Sequence, residues 1–182
     1  MKRIERGTKI YLIMVILIIS FIGAVGVTKT WQSFTTGGFV ETPGVTWQAI
    51  SEQSKEHNVL VVVFDKSDPA DQVLKPAIEQ AKQQVTLNED EKPVVVYVNA
   101  KSKAGKQITP LLPIDSDTLP NLVPVKNGVS NVVVTETNKQ PINRALHVND
   151  ITKRSDDEAS QNGFSANMTV INQLFEGSWH IQ

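Results

Sequence analysis

The chain has 182 residues, a formal net charge of −1 and no cysteine. Without a thiol it can form no disulfide and can perform no thiol–disulfide exchange. Beyond residue 27 it carries 14 basic and 18 acidic residues, so it lacks the positive surface that nucleic acids require. The composition therefore excludes a thiol-based redox enzyme and argues against direct binding of nucleic acid.

The N-terminus predicts a membrane anchor. Residues 10–27 carry no charge, and as a helix they would span roughly 27 Å at about 1.5 Å per residue. Residues 1–9 contain four basic residues and one acidic residue, which favours a cytoplasmic N-terminus and places the rest of the chain outside the membrane. A cleaved secretory signal is the alternative, since Ala24-Val25-Gly26 offers a small-residue cleavage site, but the apolar stretch is longer than the usual ~7–15 residues. We predict an uncleaved, single-pass anchor in the cell membrane.

The rest of the chain predicts a linker and one domain. Residues 28–44 contain two glycine-rich turns and indicate a linker, which leaves residues 45–182 as an extracytoplasmic domain. Thr46 is placed to cap a short helix that extends to about residue 56. The run Val59–Phe64 is continuously apolar, which predicts a strand buried on both faces of a sheet.

A longer helix is predicted next. Asp68 stands at its cap and Pro69 at its first position, and Pro76 lies inside it. Apolar residues recur along one face of this helix, at Val73, Leu74, Ala77, Ile78, Ala81 and Val85. Residues 94–98 then predict a second buried strand, and residues 99–117 a polar connection.

The C-terminal half predicts a hairpin and a last helix. Strands are expected at 119–125 and 129–135, because Asn127-Gly128 between them is a strong hairpin signal. Pro124 indicates that one side of the first of these strands lacks a full ladder. Residues 136–164 are polar and are interpreted as a loop that is either a docking surface or without function. A final helix is expected from 166 to 175, ending at Gly177, with its inward face formed by Met168, Ile171, Leu174 and Phe175.

Two motifs in this order of elements resemble the thioredoxin superfamily. Ser67-Asp68-Pro69-Ala70 follows the first strand where that family has Cys-Gly-Pro-Cys, so that Ser67 and Ala70 stand at the cysteine positions. Leu119-Pro120-Asn121, continuing to Lys126-Asn127-Gly128, resembles the family's Ile-Pro-Thr strand and its Lys-Asn-Gly turn. The resemblance covers about residues 45–135. It implies an α/β fold with a central mixed sheet of about four strands flanked by helices.

The resemblance also implies a binding site. It implies a cis bond between Leu119 and Pro120, and in this family the segment before that proline offers backbone groups to an extended peptide. The helix start at Asp68 faces the same groove. The residues that the resemblance assigns to binding of a peptide or partner are Ser67, Asp68, Pro69, Leu119, Pro120 and Asn121. For Pro120 a role in fold geometry alone is the favoured interpretation, and a share in shaping the groove is the alternative.

No catalytic residue, metal ligand or cofactor is predicted. Ser67 has no neighbouring base that would activate its hydroxyl. His57, His147 and His180 lie far apart in the sequence and show no metal-ligand spacing.

The sequence thus predicts a non-catalytic, membrane-anchored protein that binds or scaffolds other membrane or exported proteins on the outer side of the cytoplasmic membrane. The resemblance implies the context of an accessory component of bacterial conjugative (type IV) secretion or of peptide export, including bacteriocin export. One alternative is a chaperone-like or immunity-type binder of one exported peptide. Another is an enzyme with non-thiol chemistry, which would need a polar cluster with a perturbed pKa near Ser67.

Overall fold

The computed structural model describes residues 38–86, 91–114, 118–154 and 164–182. The predicted anchor at residues 10–27 and most of the predicted linker lie outside these ranges. Among the described residues, no helix has both the length and the apolar character that crossing a bilayer requires.

Helices and strands alternate over the first part of the chain. The described helices are α1 (Trp47–Gln53), α2 (Ala70–Gln84), α3 (Lys103–Ile108), α4 (Val148–Ile151) and α5 (Met168–Glu176). The described strands are β1 (Val59–Phe64), β2 (Val94–Asn99), β3 (Asn121–Val125), β4 (Val132–Thr135), β5 (Thr152–Arg154), β6 (Phe164–Ala166) and β7 (Ser178–Ile181).

β1 is the central strand of a three-stranded mixed sheet with the order β2-β1-β3. β2 runs parallel to β1 and β3 runs antiparallel to it. Every residue of β1 is buried, which confirms the prediction of a strand covered on both faces. Leu60, Val62 and Phe64 pack with α2 and α5, whereas the alternate valines of β1 pack with α1 and α3. The fold is therefore mixed α/β as predicted, with three strands in this sheet rather than about four.

The predicted hairpin turn forms, but it does not continue into a ladder. Asn127 and Gly128 have φ angles of 51° and 77°, and Lys126 and Val129 exchange backbone hydrogen bonds of 2.9 and 3.1 Å. Beyond this pair, β4 pairs with β7, a strand that the sequence did not predict. Val134 of β4 also bonds to Ile142.

Pro124 explains why the hairpin opens. Leu122 exchanges two hydrogen bonds of 2.9 Å with Leu146 on the side of β3 that faces away from β1. Alternate residues of a strand direct their backbone groups to the same side, so the nitrogen of Pro124 lies on that side and has no hydrogen to donate. This confirms that one side of β3 lacks a full ladder.

α2 begins at the predicted cap, and its predicted inner face is buried except at Val73, which is half-buried. Asp68 Oδ1 accepts a 2.8 Å hydrogen bond from the backbone N–H of Ala70, and Pro69 already has helical angles of −64° and −24°. The helix contains Pro76. Its buried face is formed by Ala70, Asp71, Leu74, Ala77, Ile78 and Ala81.

β2 is a half-buried edge strand rather than a fully buried one, because the sheet ends there. Its free edge is covered by residues 38–42, which we call the edge segment. The backbone N–H of Thr42 donates to the Tyr97 carbonyl at 2.9 Å, and the Tyr97 N–H donates to Thr42 Oγ1 at 2.9 Å. Phe39 is 2% exposed and its ring lies 5.2 Å from that of Tyr97. This part of the predicted linker therefore packs as part of the folded unit.

Two stretches interpreted as connections contain regular structure. Residues 99–117 include α3, in which Ser102 Oγ accepts a 2.8 Å bond from the Gly105 N–H, and residues 136–164 include α4 and β5. These elements have three to six residues, which is too short to show a hydrophobic period. α5 agrees with the predicted helix and ends at Gly177.

We expect Gly105→Ala to destabilise the fold. A Cβ atom at Gly105 would lie 1.9 Å from the carbonyl oxygen of Asn99 and 2.9 Å from the Cα of Ala100, so the backbone of α3 would have to move. The expected loss is roughly 2–4 kcal/mol of unfolding free energy, measured by urea denaturation. Lys106→Ala, at an exposed position of the same helix, is the control and should change stability by less than about 0.5 kcal/mol. Equal stability of the two variants would contradict this packing.

Candidate functional site

The sheet brings the two predicted halves of the site to one edge. Val63 near the end of β1 pairs with Asn121 at the start of β3. Pro120 therefore lies beside the end of β1, from which the chain continues to Ser67–Pro69. The bond between Leu119 and Pro120 is cis, as the resemblance implies.

The turn between β1 and α2 is held by its own polar groups. Asp65 accepts a 3.3 Å hydrogen bond from the Ser67 N–H and forms a 2.5 Å ion pair with Lys101. The hydrogen bond from Lys101, together with those from Ser67, holds the pKa of Asp65 below its usual range. Ser67 and Pro69 are exposed, whereas Asp68 is half-buried and caps α2. This turn presents a small, ordered surface.

Asn121 is a structural residue rather than an exposed one. Its side chain is 0% exposed, and its Nδ2 donates to the Thr118 carbonyl at 3.1 Å. That assignment leaves Oδ1 as the acceptor facing His147 Nδ1 at 2.6 Å, so Nδ1 of His147 carries the proton. Pro120 is buried as well, and Leu119 is half-buried. The side chain of Asn121 therefore links the segments on which Thr118 and His147 lie, and it is not open to solvent.

His147 belongs to a segment that covers the outer edge of β3. Arg144 forms two hydrogen bonds of 2.7 and 2.8 Å with the carboxylate of Asp150, and Asp150 Oδ2 accepts the His147 N–H at 2.9 Å. The hydrogen bond from Arg144 lowers the pKa of Asp150. Residues 144–150 thus form a corner that is held together by these side-chain hydrogen bonds. Leu146 attaches this corner to Leu122 of β3.

A cleft opens on the far side of this corner. It has a volume of about 520 Å³ and lies between residues 139–146 and α5. Its apolar part is formed by Pro141, Ile142, Leu146 and Val170, and the rest of its lining combines side-chain amides with Thr169 and the charged groups of Lys139, Arg144 and Asp150. Both cations at the cleft are paired, Arg144 with Asp150 and Lys139 with Glu136 at 2.7 Å. The charges at the cleft are therefore largely compensated.

Asp71 is the group with the most strongly altered acidity near the helix start. It lies in the first turn of α2, is 1% exposed, and neither carboxylate oxygen has a hydrogen-bond partner. Burial, reinforced by repulsion from Asp68 and Asp65, raises the pKa of Asp71 to about 7. Within the described ranges, no three carboxylates or imidazoles are arranged to hold a metal ion.

Neither Asp71 nor His147 is among the residues that the sequence predicts for the site. Asp71 lies three residues before Leu74 and seven before Ile78, on the buried face of the helix, so helical spacing is the signal that indicates its burial. Its closeness to the distant Gly38 is set by the fold. His147 lies 26 residues from Asn121, in a stretch interpreted as a loop. Neither contact is encoded in local spacing.

Comparison with known proteins assigns no family to this arrangement. No protein-family model matches the chain, and no match was found among curated proteins or among solved structures. The functional argument therefore rests on the residues and their geometry.

We expect Asn121 and His147 to be energetically coupled. Asn121→Ala should cost roughly 1–3 kcal/mol of unfolding free energy, because it removes a fully buried side chain together with its bonds to the Thr118 carbonyl and to His147 Nδ1. The double variant with His147→Ala should lose at least about 0.5 kcal/mol less than the sum of the single losses, measured in a double-mutant cycle. As a control, Asn121→Ala combined with His180→Ala, at an exposed position, should be additive. Additivity of the first pair would rule out the contact.

Proposed function

We propose that the folded unit from residue 38 onward is a thioredoxin-like domain without redox activity, that residues 10–27 anchor it, and that it binds other proteins on the outer side of the cytoplasmic membrane. The observation that carries the proposal is the β1–β3 register, in which Val63 pairs with Asn121. It puts the proline at the start of β3 beside the turn into α2, where the resemblance expects them. The parallel pairing of β1 and β2, linked through α2, supports the same fold.

Binding without catalysis is favoured by the chemistry of the helix start. The two cysteine positions hold Ser67 and Ala70, so the attacking and resolving thiols of a redox domain have no counterpart. The resemblance and the predicted anchor together favour an accessory role in conjugative (type IV) secretion or peptide export. Such a role requires a stable surface that another membrane or exported protein can contact.

The cleft beside α5 is the surface that we assign to the partner. The outer edge of β3, where a peptide would add as a strand, is already bonded to Leu146 at Leu122, and Asn121 is buried. The cleft remains open, with apolar side chains and with the exposed amides of Gln140 and Asn143, which can bond a polypeptide backbone. A chaperone-like binder of one exported peptide would use the edge beside Pro120 instead.

An enzyme with non-thiol chemistry is the second candidate, because Asp71 supplies a carboxyl with a raised pKa near Ser67. Ser67 is exposed, whereas Asp71 is buried and its oxygens have no hydrogen-bond partner. A base must lie within hydrogen-bond reach of the hydroxyl that it activates. The geometry therefore favours the binding role.

The fold is tested by placing cysteines where the resemblance puts them. We expect the double variant Ser67→Cys with Ala70→Cys to form an intramolecular disulfide on mild oxidation, measured by thiol titration and mass spectrometry. Lys66→Cys with Ala70→Cys shifts one thiol by a single position and is the matched control, which should remain reduced under the same conditions. If the first pair stays reduced, or if both pairs oxidise alike, the thioredoxin-like helix start is wrong.

The binding role is tested by photo-crosslinking in intact cells. A probe in place of Asn143, an exposed residue of the cleft, should give reproducible crosslinks to a particular membrane or exported protein. A probe at Ser67 reports on the edge beside Pro120, and one at Lys82, exposed in the last turn of α2, gives the background. Crosslinks from Ser67 alone would favour the chaperone-like role. If neither probe exceeds Lys82, the domain does not bind through either surface.

A further inference from the structure

We propose that ionisation of Asp71 loosens the edge segment, residues 38–42, from the folded unit, so that docking of this segment responds to pH. The inference goes beyond the proposed function and requires only the folded unit. Its starting observation is a carboxyl group that is 1% exposed and has no hydrogen-bond partner on either oxygen. A buried group of this kind is tolerated when it is neutral and becomes costly when it is charged.

The edge segment lies directly against Asp71. A Cβ atom built on Gly38 would lie 3.5 Å from the Asp71 Cβ and 3.9 Å from its Oδ2. Lys75, one turn further along α2, donates to the Gly38 carbonyl at 3.3 Å and holds the segment over the carboxyl. Displacing Gly38 would therefore bring water to Asp71.

The charges around Asp71 oppose its ionisation. Asp68 and Asp65 raise its pKa by repulsion, in addition to the larger effect of burial. Lys101 is paired with Asp65. The acid of the edge segment, Glu41, is bonded through Oε1 to the Ser102 hydroxyl and to the Asn99 N–H.

The edge segment is the part of the chain against Asp71 that belongs to no helix and to no strand of the sheet. The first turn of α2 is fixed by the cap from Asp68 and by Ala70, which is 2% exposed. The edge segment is held by the Phe39 ring, by the pairing of Thr42 with Tyr97, and by the side-chain bonds of Glu41 and Lys75. Moving it exposes the carboxyl without breaking the central sheet.

The direction of the pH effect follows from linkage. With the segment docked, the pKa of Asp71 is about 7, against 3.8 for an ordinary aspartate. Between about pH 4 and about pH 7, Asp71 is therefore protonated in the docked state and ionised in the opened state. Opening should increase as pH rises from about 4 to about 7 and then level off, by a total factor of up to roughly a thousand.

Hydrogen exchange of the full 182-residue chain in a mild non-ionic detergent tests this inference between pH 4.5 and 8.5. The reporters are the amides of Thr42 and Tyr97, each of which donates a bond that joins the segment to β2. Their protection factors, corrected for the pH dependence of intrinsic exchange, should fall at least tenfold towards pH 7. The amide of Val61, in the buried centre of β1, should keep its protection.

Asp71→Asn should abolish the fall, because the amide has a similar shape and cannot ionise. Asp68→Asn is the matched control. It keeps a capping side chain and removes one repulsive charge, so the fall should be smaller and should level off at lower pH. Reporter protection that does not change with pH in the unaltered chain, or the same fall in Asp71→Asn, would overturn the inference. A direct titration of the Asp71 carboxyl carbon by NMR is the second measurement, and a midpoint near 4 would also overturn it.

Discussion

The missing backbone hydrogen of Pro124 shapes the half of the molecule that carries the candidate surfaces. A hairpin closed by Asn127-Gly128 would ordinarily extend along both strands, but β3 cannot donate at Pro124 on the side facing away from β1. That side is used by Leu146 instead, while β4 pairs with β7. The corner at 144–150 and the cleft behind it both depend on this divergence.

On the side that faces β1, β3 forms a continuous ladder, whereas its outer side is interrupted at Pro124. β1 contributes alternate residues to two separate cores, so neither face of the central sheet is free to move. The ends of β1 and β3 that lie beside Pro120 and the start of α2 are therefore held rigidly. A site built at this edge would be ordered before any partner arrives, which lowers the entropic cost of binding.

Local signals predicted much of this fold, and contacts between distant residues account for what they missed. The apolar run of β1, the Asp68-Pro69 helix start and the Asn127-Gly128 turn each act within a few residues, so sequence patterns reveal them. The pairing of Asn121 with His147 joins residues 26 apart, and the bond between Thr42 and Tyr97 joins residues 55 apart. Two of the six predicted site residues, Pro120 and Asn121, are buried, and for Asn121 the contact comes from His147, far along the chain.

At the start of α2, the helix dipole and burial have opposite effects on the ionisation of Asp71. A carboxylate in the first turn of a helix gains about 0.3–1 kcal/mol from the helix dipole. Burial and the neighbouring acids outweigh that gain at Asp71, since a pKa raised from 3.8 to about 7 corresponds to a penalty of roughly 4 kcal/mol on the charged form. The helix start has no sulfur chemistry, and Asp71, in the first turn of the helix, is held mainly in its neutral form below pH 7. Ser67 and Pro69 are exposed beside the half-buried Asp68, whose Oδ1 accepts from the Ala70 N–H, so the polar groups of this turn serve to hold the helix start.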